Sequence, residues 1–433
     1  MKSIIIWTSE LFRSIRVGWF LATRQIQRAS KWTTGLIIFV MTLTFLNLVV
    51  VSGLLVGLIS GSFIQFHDHY SGDILITPPN RQTYIKDSSA LVSYLSSHPD
   101  VELYSARYLV GAGILGTLDR LPKSEQKINR ANLSVAGIDP LREESMTELS
   151  KFVKYGKPLM PGDTQGILIG ANILKKYSSF ADANIPGLTL LEDVDIGSRV
   201  RLTIPSLDGG APIAKEYIVR GIIKSKLDEV SSKAFILDEE VRRLIPTRKL
   251  DYQEIAVRTR TGKEASVLAD LRAFLVDRPA RVQSYQEAIP TFLRDIETTM
   301  GILGNALSSI ALVVATITIF IVIFINAITK RKFIGIMKGI GISPFAVQLS
   351  YVIQAFFYGA VGSAIGVALT FGLLKPFFDK NPINFPFSDG ILVATAEGAV
   401  LRIGILMIVV LLAGYIPAWL IVRKNTLDAI LGR

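Results

Sequence analysis

The sequence predicts a membrane protein: four transmembrane α-helices in a 1+3 arrangement, with a large extracytoplasmic α+β domain inserted between helices 1 and 2. Three observations carry this expectation. Four long segments lack any charged residue, the surplus of positive charge sits in short clusters beside them, and the one long polar stretch is charge-balanced. The composition agrees, with 50% hydrophobic and only 19% charged residues over 433 positions, against about 25% charged in ordinary soluble domains.

A helix crossing the bilayer needs roughly 20 mostly apolar residues, because ~1.5 Å per residue must cover a hydrocarbon layer of ~30 Å. Thr33–Phe66, Thr298–Thr329, Gly339–Leu374 and Ile403–Val422 each qualify. The expected spans are therefore 33–66, 298–329, 344–374 and 403–422. The net charge of +11 resides wholly in three places: the arm 1–32, the loop 330–343 and the tail 423–433. Residues 67–298 carry 31 basic and 31 acidic residues, so no nucleic-acid partner is expected. Short loops on the cytoplasmic side of a membrane carry the Lys and Arg excess. The arm, the 330–343 loop and both chain termini are thus expected in the cytoplasm, with 67–297 and the 375–402 loop outside. The implied location is a plasma (inner) membrane crossed several times.

Within the arm, Trp7, Leu11, Ile15, Trp19, Ala22 and Ile26 recur at helical spacing, while Arg13, Arg16, Arg24, Arg28 and Lys31 fall largely off that stripe. Two readings remain open: an amphipathic helix in the cytoplasmic lipid interface, contacting membrane lipid, or a helix packed on a partner. Residues 67–297 show β-branched or alternating runs at 73–77, 101–110, 133–137, 198–204, 216–223, 233–237 and 253–258. Amphipathic helices are expected at 88–97 and 262–277, and another at 238–244 capped by Asp238. Gly-, Pro- and Asp-rich loops point to two subdomains, the inner one at about 115–225.

The chemistry is one of absences. Cysteine is missing, which excludes disulfides, thiolate metal sites and a Cys nucleophile. The sequence has no G-x-x-x-x-G-K-[ST] loop, H-E-x-x-H or G-x-S-x-G. No catalytic, cofactor-binding or metal-binding residue is assigned. His67-Asp68-His69 reads either as a solvated turn or as a metal pair. Inside the spans small residues stand out: Gly53, Gly57 and Gly61, then Gly359, Gly362 and Gly366. Such spacing allows close helix approach, either within one chain or as a seam between two chains.

Lys332-Phe333-Ile334-Gly335-Ile336-Met337-Lys338-Gly339-Ile340-Gly341-Ile342-Ser343 resembles the cytoplasmic pattern of the MacB/FtsX-type ABC transporter permeases, R-E-I-G-I-L-R-A-L-G-A-S, departing at Phe333. Pro417-Ala418 followed by Asn425–Ile430 is similar to the same family's C-terminal ending, with Thr426 in place of a proline. Phe20–Arg24, Val135–Pro140, Gly166–Gly170, Ile196–Val200 and Met300–Leu303 resemble most the lipoprotein-releasing LolC/LolE type. The resemblance implies a permease subunit that is no enzyme itself, with ATP and Mg held by a separate cytoplasmic P-loop ATPase. It further implies a second permease copy or paralogue, and a lipoprotein or periplasmic adaptor as outer partner. Lys332, Ile334, Gly335, Ile336, Met337, Lys338, Gly339, Ile340 and Gly341 are the expected ATPase-coupling residues, Ile334, Ile336, Met337 and Ile340 as apolar knobs. A basic turn held by lipid headgroups is the other reading of that loop, and an FtsX-like signalling scaffold the other reading of the whole.

Overall fold

A computed structural model describes residues 2–80, 82–116, 129–179, 181–182, 189–205, 211–245, 251–381, 383–384, 389–390 and 392–423. In chain order the main elements are α1 (Lys2–Arg28), α2 (Lys31–Ser71), β1 (Ile74–Thr77), α3 (Ser88–Ser97), β2 (Val101–Leu115), β3 (Arg130–Ile138), α4 (Pro140–Thr147), β4 (Val153–Gly156) and β5 (Gly166–Gly170). There follow β6 (Arg199–Ile204), β7 (Ile213–Ile223), β8 (Lys233–Leu237), α5 (Asp238–Leu244), β9 (Glu254–Thr259), α6 (Glu264–Phe274) and β10 (Arg281–Ser284). The last helices are α7 (Thr291–Thr329), α8 (Arg331–Gly339), α9 (Pro344–Lys380) and α10 (Ala396–Val422). The chain divides into two compact units. One holds Met1–Ser60, Asp295–Ile383 and Gly390–Arg433, and the other holds Gly61–Arg294 and Asn384–Asp389.

The first unit is helical. Helices α2, α7, α9 and α10 are long and apolar enough to cross a membrane, and the first three run to 41, 39 and 37 residues, well beyond the ~20 that a bilayer needs. Their regularity is interrupted by π-turns at Asn47–Val51, His67–Ser71 and Thr370–Leu374. Helix α9 is the hub. Gly362 and Gly366 face α2, where an added Cβ would come within 2.4 Å of Met41 and Phe45 respectively. Gly359 faces Met407 and Val410 of α10, and Gly18 of α1 lies against Ala346 and Leu349. Helix α7 buries one stripe only, Ala315, Ile319, Ile323 and Ala327, and leaves Ile310, Val313, Ile317, Ile321 and Ile325 exposed. Helix α10 begins at Ala396, seven residues before the expected start, so Arg402 lies inside it.

The N-terminal stripe splits. Ala22 is fully buried and Gln354 Nε2 donates to Gln25 Oε1 at 2.6 Å, so the face of α1 bearing Gly18, Ala22 and Gln25 packs on α9 of the same chain. Phe12, Ile15, Trp19 and Phe20 stay exposed. The side chains of Trp7 and Leu11 lie outside the described placements, as does Asn425–Ile430.

In the second unit one strand belongs to two assemblies. Val101–Arg107 of β2 pairs antiparallel with β9, and Tyr108–Leu115 pairs antiparallel with β3. The first assembly runs β10-β1-β9-β2 and is covered by α3 and α6, whose Leu91, Leu95, Val267 and Leu271 meet Ile74, Ile76, Ile255 and Val257. The second closes on itself. Strand β3 pairs with β8, β8 with β5, β5 with β7, β7 with β6, and β6 returns to β2 through Gly113↔Thr203. A closed six-stranded barrel results, filled by Ile114, Val135, Ile167, Ile169, Val200, Leu202, Tyr217 and Val219, and closure removes sheet edges.

Several local expectations change. Barrel closure needs the second half of β2 and all of β8, so this part reaches past both ends of 115–225. Strands β4, β5 and β10 were not expected; β5 is buried at every position and therefore shows no alternation. Asp238 is the first helical residue and not the cap: Leu237 holds that position, and Asp238 accepts from the Glu239 amide. Asp139 caps α4 instead, accepting from the amides of Leu141 and Arg142, with Pro140 at the first helical position.

Candidate coupling site

Helix α8 is short and basic and is fixed at both ends by the chain itself. Ile334 and Gly335 are buried, and Met337 and Ile342 pack partly against the helical core. Lys338 Nζ donates to the carbonyl of Val422 at 3.0 Å, tying α8 to the end of α10. The C-terminus closes with a Schellman motif: Ile342 N–H donates to Met337 O at 2.9 Å and Gly341 N–H to Lys338 O at 3.1 Å. This demands a left-handed residue, and Gly341 has φ +92°. Ser343 and Pro344 then open α9, although the Ser343 hydroxyl makes no cap hydrogen bond.

Ile334 points into the bundle and is not a surface knob. The outward apolar set is Phe333, Ile336 and Ile340, exposed by 67%, 48% and 74%. Their spacing puts them on one side of the turn, with Lys332 exposed beside them. Phe333, where the family pattern is broken, thus contributes the largest side chain to this face. Gly339 meets open space and Gly341 serves the turn, so neither marks a close approach within the chain. Gly53 is covered by Val393 and Leu392, and Gly359, Gly362 and Gly366 by α10 and α2. These four glycines are consumed by packing within one chain, so a seam between copies has to use other faces. Gly57 and Gly61 are buried.

A buried ion cluster lies at the point where β2 changes partner. Arg107 is 2% exposed and donates through Nε and Nη2 to both carboxylate oxygens of Glu143 at 2.9 and 2.8 Å, and through Nη1 to Glu254 at 2.7 Å. Its Nη2 also donates to the Tyr70 carbonyl, and the Tyr70 hydroxyl donates to Glu254 at 3.0 Å. Lys233 Nζ donates to the same hydroxyl at 2.5 Å. Burial alone would raise the Glu143 carboxyl, but Arg107, Ser105 and Thr147 together hold it below its ordinary range. Burial pushes the Lys233 ammonium down. No sequence motif announces such a set, because its members lie up to 184 positions apart. The local signal is one arginine, Arg107, in a strand whose other charge, Glu102, stands near its start.

The histidine pair resolves into separate roles. His67 lies between Asp68 at 2.6 Å and Asp73 at 2.8 Å, while His69 faces the Thr147 carbonyl at 3.1 Å. The two rings do not converge on one point. Among the described residues, no three His, Cys, Asp or Glu side chains are arranged to hold a metal ion.

Residues 305–426 match the family of FtsX-like permease C-terminal domains. The MacB macrolide export ATP-binding/permease protein of Campylobacter fetus is 24% identical over 312 residues, 65% of this chain and 47% of that protein. A probable export ATP-binding/permease protein of Pseudomonas fluorescens is 23% identical over 194 residues, 43% of this chain and 28% of that protein. The chain thus spans about half or less of the curated relatives it matches. Two solved structures are also similar: the periplasmic region of MacB from Actinobacillus actinomycetemcomitans (TM-score 0.35, 12% identity, 54% of this chain and 95% of that one) and the extracellular domain of the noncanonic ABC-type transporter YknZ from Gram-positive bacteria (TM-score 0.32, 12% identity, 49% and 98%). Over residues 305–426 the chain is thus similar to FtsX-like permease C-terminal domains, and over about two thirds of its length to a MacB export ATP-binding/permease protein.

Proposed function

We propose that this chain is the transmembrane permease subunit of an ABC transporter that transmits force, and is not a catalyst itself. In this reading a P-loop ATPase in the cytoplasm hydrolyses ATP and presses on α8. Two permeases, copies or paralogues, work together in the bacterial inner membrane, with both termini cytoplasmic. Long helices carry the motion outward, and the outer unit releases or exports a lipoprotein or another hydrophobic or peptide cargo. The carrying observation is the build of α8: an exposed apolar face of Phe333, Ile336 and Ile340 on a helix anchored from below by Ile334 and Lys338. An anchored helix passes on a push, whereas a loose turn absorbs it. The positive clusters at 1–32 and 330–343 support the orientation.

The test is Ile336→Asp and Phe333→Asp in the full chain, reconstituted with its ATPase. Both side chains are exposed, so insertion and folding are expected to survive while stimulation of ATP hydrolysis falls by at least about tenfold, the loss of one desolvated anchor of ~1.4 kcal/mol or more. Unaltered stimulation overturns the reading of α8. A second reading, a scaffold that activates an outer partner without moving cargo, draws on the outer unit's surface. Its exposed large apolar residues, Tyr84, Leu141, Tyr155, Met160, Ile196 and Val276, are spread along the chain. Cargo crosslinked to the outer unit and released on ATP addition would decide for transport.

A further inference from the structure

Arg402 is an ionisable residue two turns inside an apolar helix, and the coupling mechanism makes no use of it. Its Nη2 donates to Ser52 Oγ at 2.7 Å, across from α10 to α2. Its Nη1 lies 2.9 Å from where a Cβ on Gly398 would stand, so the absence of a side chain there leaves room for the guanidinium. Lys375 Nζ approaches the same turn, donating to the Ala394 carbonyl at 3.3 Å. That turn is held in place: Val393 N–H donates to Gly53 O at 3.2 Å, and Gly398 N–H to Thr395 Oγ1 at 3.1 Å. Among the described residues, neither cation has a carboxylate within ion-pair distance. The acid nearest in sequence, Glu397, is exposed. Ser52 stands about 30 Å along α2 from Thr33, which is the thickness of the hydrocarbon layer.

A half-buried guanidinium at that boundary, held among the described residues by a hydroxyl and no carboxylate, stands where lipid headgroups begin. Arg presents a planar fork that suits phosphate oxygens. We propose that Arg402, backed by Ser52 and joined by Lys375, binds the headgroup phosphate of a phospholipid at this end of the helical unit. The assignment rests on reading the four apolar helices as membrane spans, and it is independent of how α8 meets an ATPase. The bound lipid completes the electrostatics that the protein leaves open and holds α10 against α2.

The experiment uses the full chain in mild detergent, titrated with short-chain phosphatidylglycerol, with short-chain diacylglycerol, and with inorganic phosphate. Binding is read by native mass spectrometry and by the thermal midpoint. Phosphatidylglycerol is expected to bind and to raise the midpoint. The Arg402→Gln, Lys375→Gln pair is expected to weaken it by about fivefold for each cation removed, and Arg402→Lys to retain part of it. Equal binding of diacylglycerol, or no loss in the paired variant, overturns the site. Inorganic phosphate binding as well as the lipid makes it a free-anion site and overturns the lipid assignment. Should Arg402→Gln fail to fold, Arg402→Lys and Lys375→Gln carry the same comparison. Ile336→Asp keeps the lipid whether or not it loses ATPase stimulation, which separates this test from that of the coupling reading.

Discussion

The two units bury polar groups by opposite rules. The α+β unit places Arg107 among Glu143, Glu254 and Tyr70 with almost no solvent contact, its guanidinium nitrogens each donating to an acceptor. The helical unit buries glycines and short hydroxyls, and its contacts are made by removing side chains: Gly362 admits Met41, Gly366 admits Phe45, and Thr42 Oγ1 donates to the Gly362 carbonyl at 3.2 Å. The difference follows from the solvent. A sheet that exchanges partners within one strand must orient two assemblies, and an ion cluster has a single satisfied geometry. Helices whose outer faces are as apolar as lipid gain little by hiding more apolar surface, so close backbone approach does the work.

The sharpest way to break this contrast is Arg107→Met. It strands two buried carboxylates, and a loss of about 3–5 kcal/mol is expected in denaturant unfolding of the full chain. A loss below about 1 kcal/mol means the cluster is loosely built and the contrast is false.

Gly362→Val and Gly366→Val test the other side. Overpacking should cost about 1–3 kcal/mol in each case, read as a drop in thermal midpoint, whereas Gly339→Ala, in open space, should stay within about 0.5 kcal/mol of the parent. Equal effects at the three positions would mean that the glycines merely soften the helices.

Acid pH sharpens the comparison further. The folded Glu143 carboxyl lies below its ordinary value of 4.5, so its contribution is present above that value and fades as pH falls through the folded one. The advantage of the parent over Glu143→Gln is therefore expected to be full at neutral pH and to shrink below about pH 4.5. A constant difference across that range would count against an ionised Glu143. His67, between Asp68 and Asp73, offers a smaller effect in the same assay, expected from His67→Gln as a loss of about 1 kcal/mol.

Much of the architecture was legible because its signals are local. A run such as Thr33–Phe66 without one charge marks a long apolar helix, and Lys330–Lys338 marks a short basic one. Helices 88–97 and 238–244 were readable from periodicity, whereas Gly341, expected among the coupling residues, proved to serve the turn that ends α8. Legibility stopped where a residue's role depends on a distant partner. Ile334, Ile336 and Ile340 have the same chemistry, and only the packing of α8 sends one inward and two outward. Likewise Phe333 looked like a departure from a pattern until its exposed position made it part of the face. Strand β5 showed no alternation because both of its faces are covered.

From composition and order alone one obtains greasy length, charge placement and the turns that glycine and proline enforce, since each of these acts over a few neighbouring residues. The barrel's closure, the partner exchange inside β2, the ion cluster around Arg107 and the pairing of Arg402 with Ser52 join positions scores to hundreds of residues apart. A linear pattern holds no record of such meetings, because the free energy that selects them comes into being only when the distant segments exclude water together.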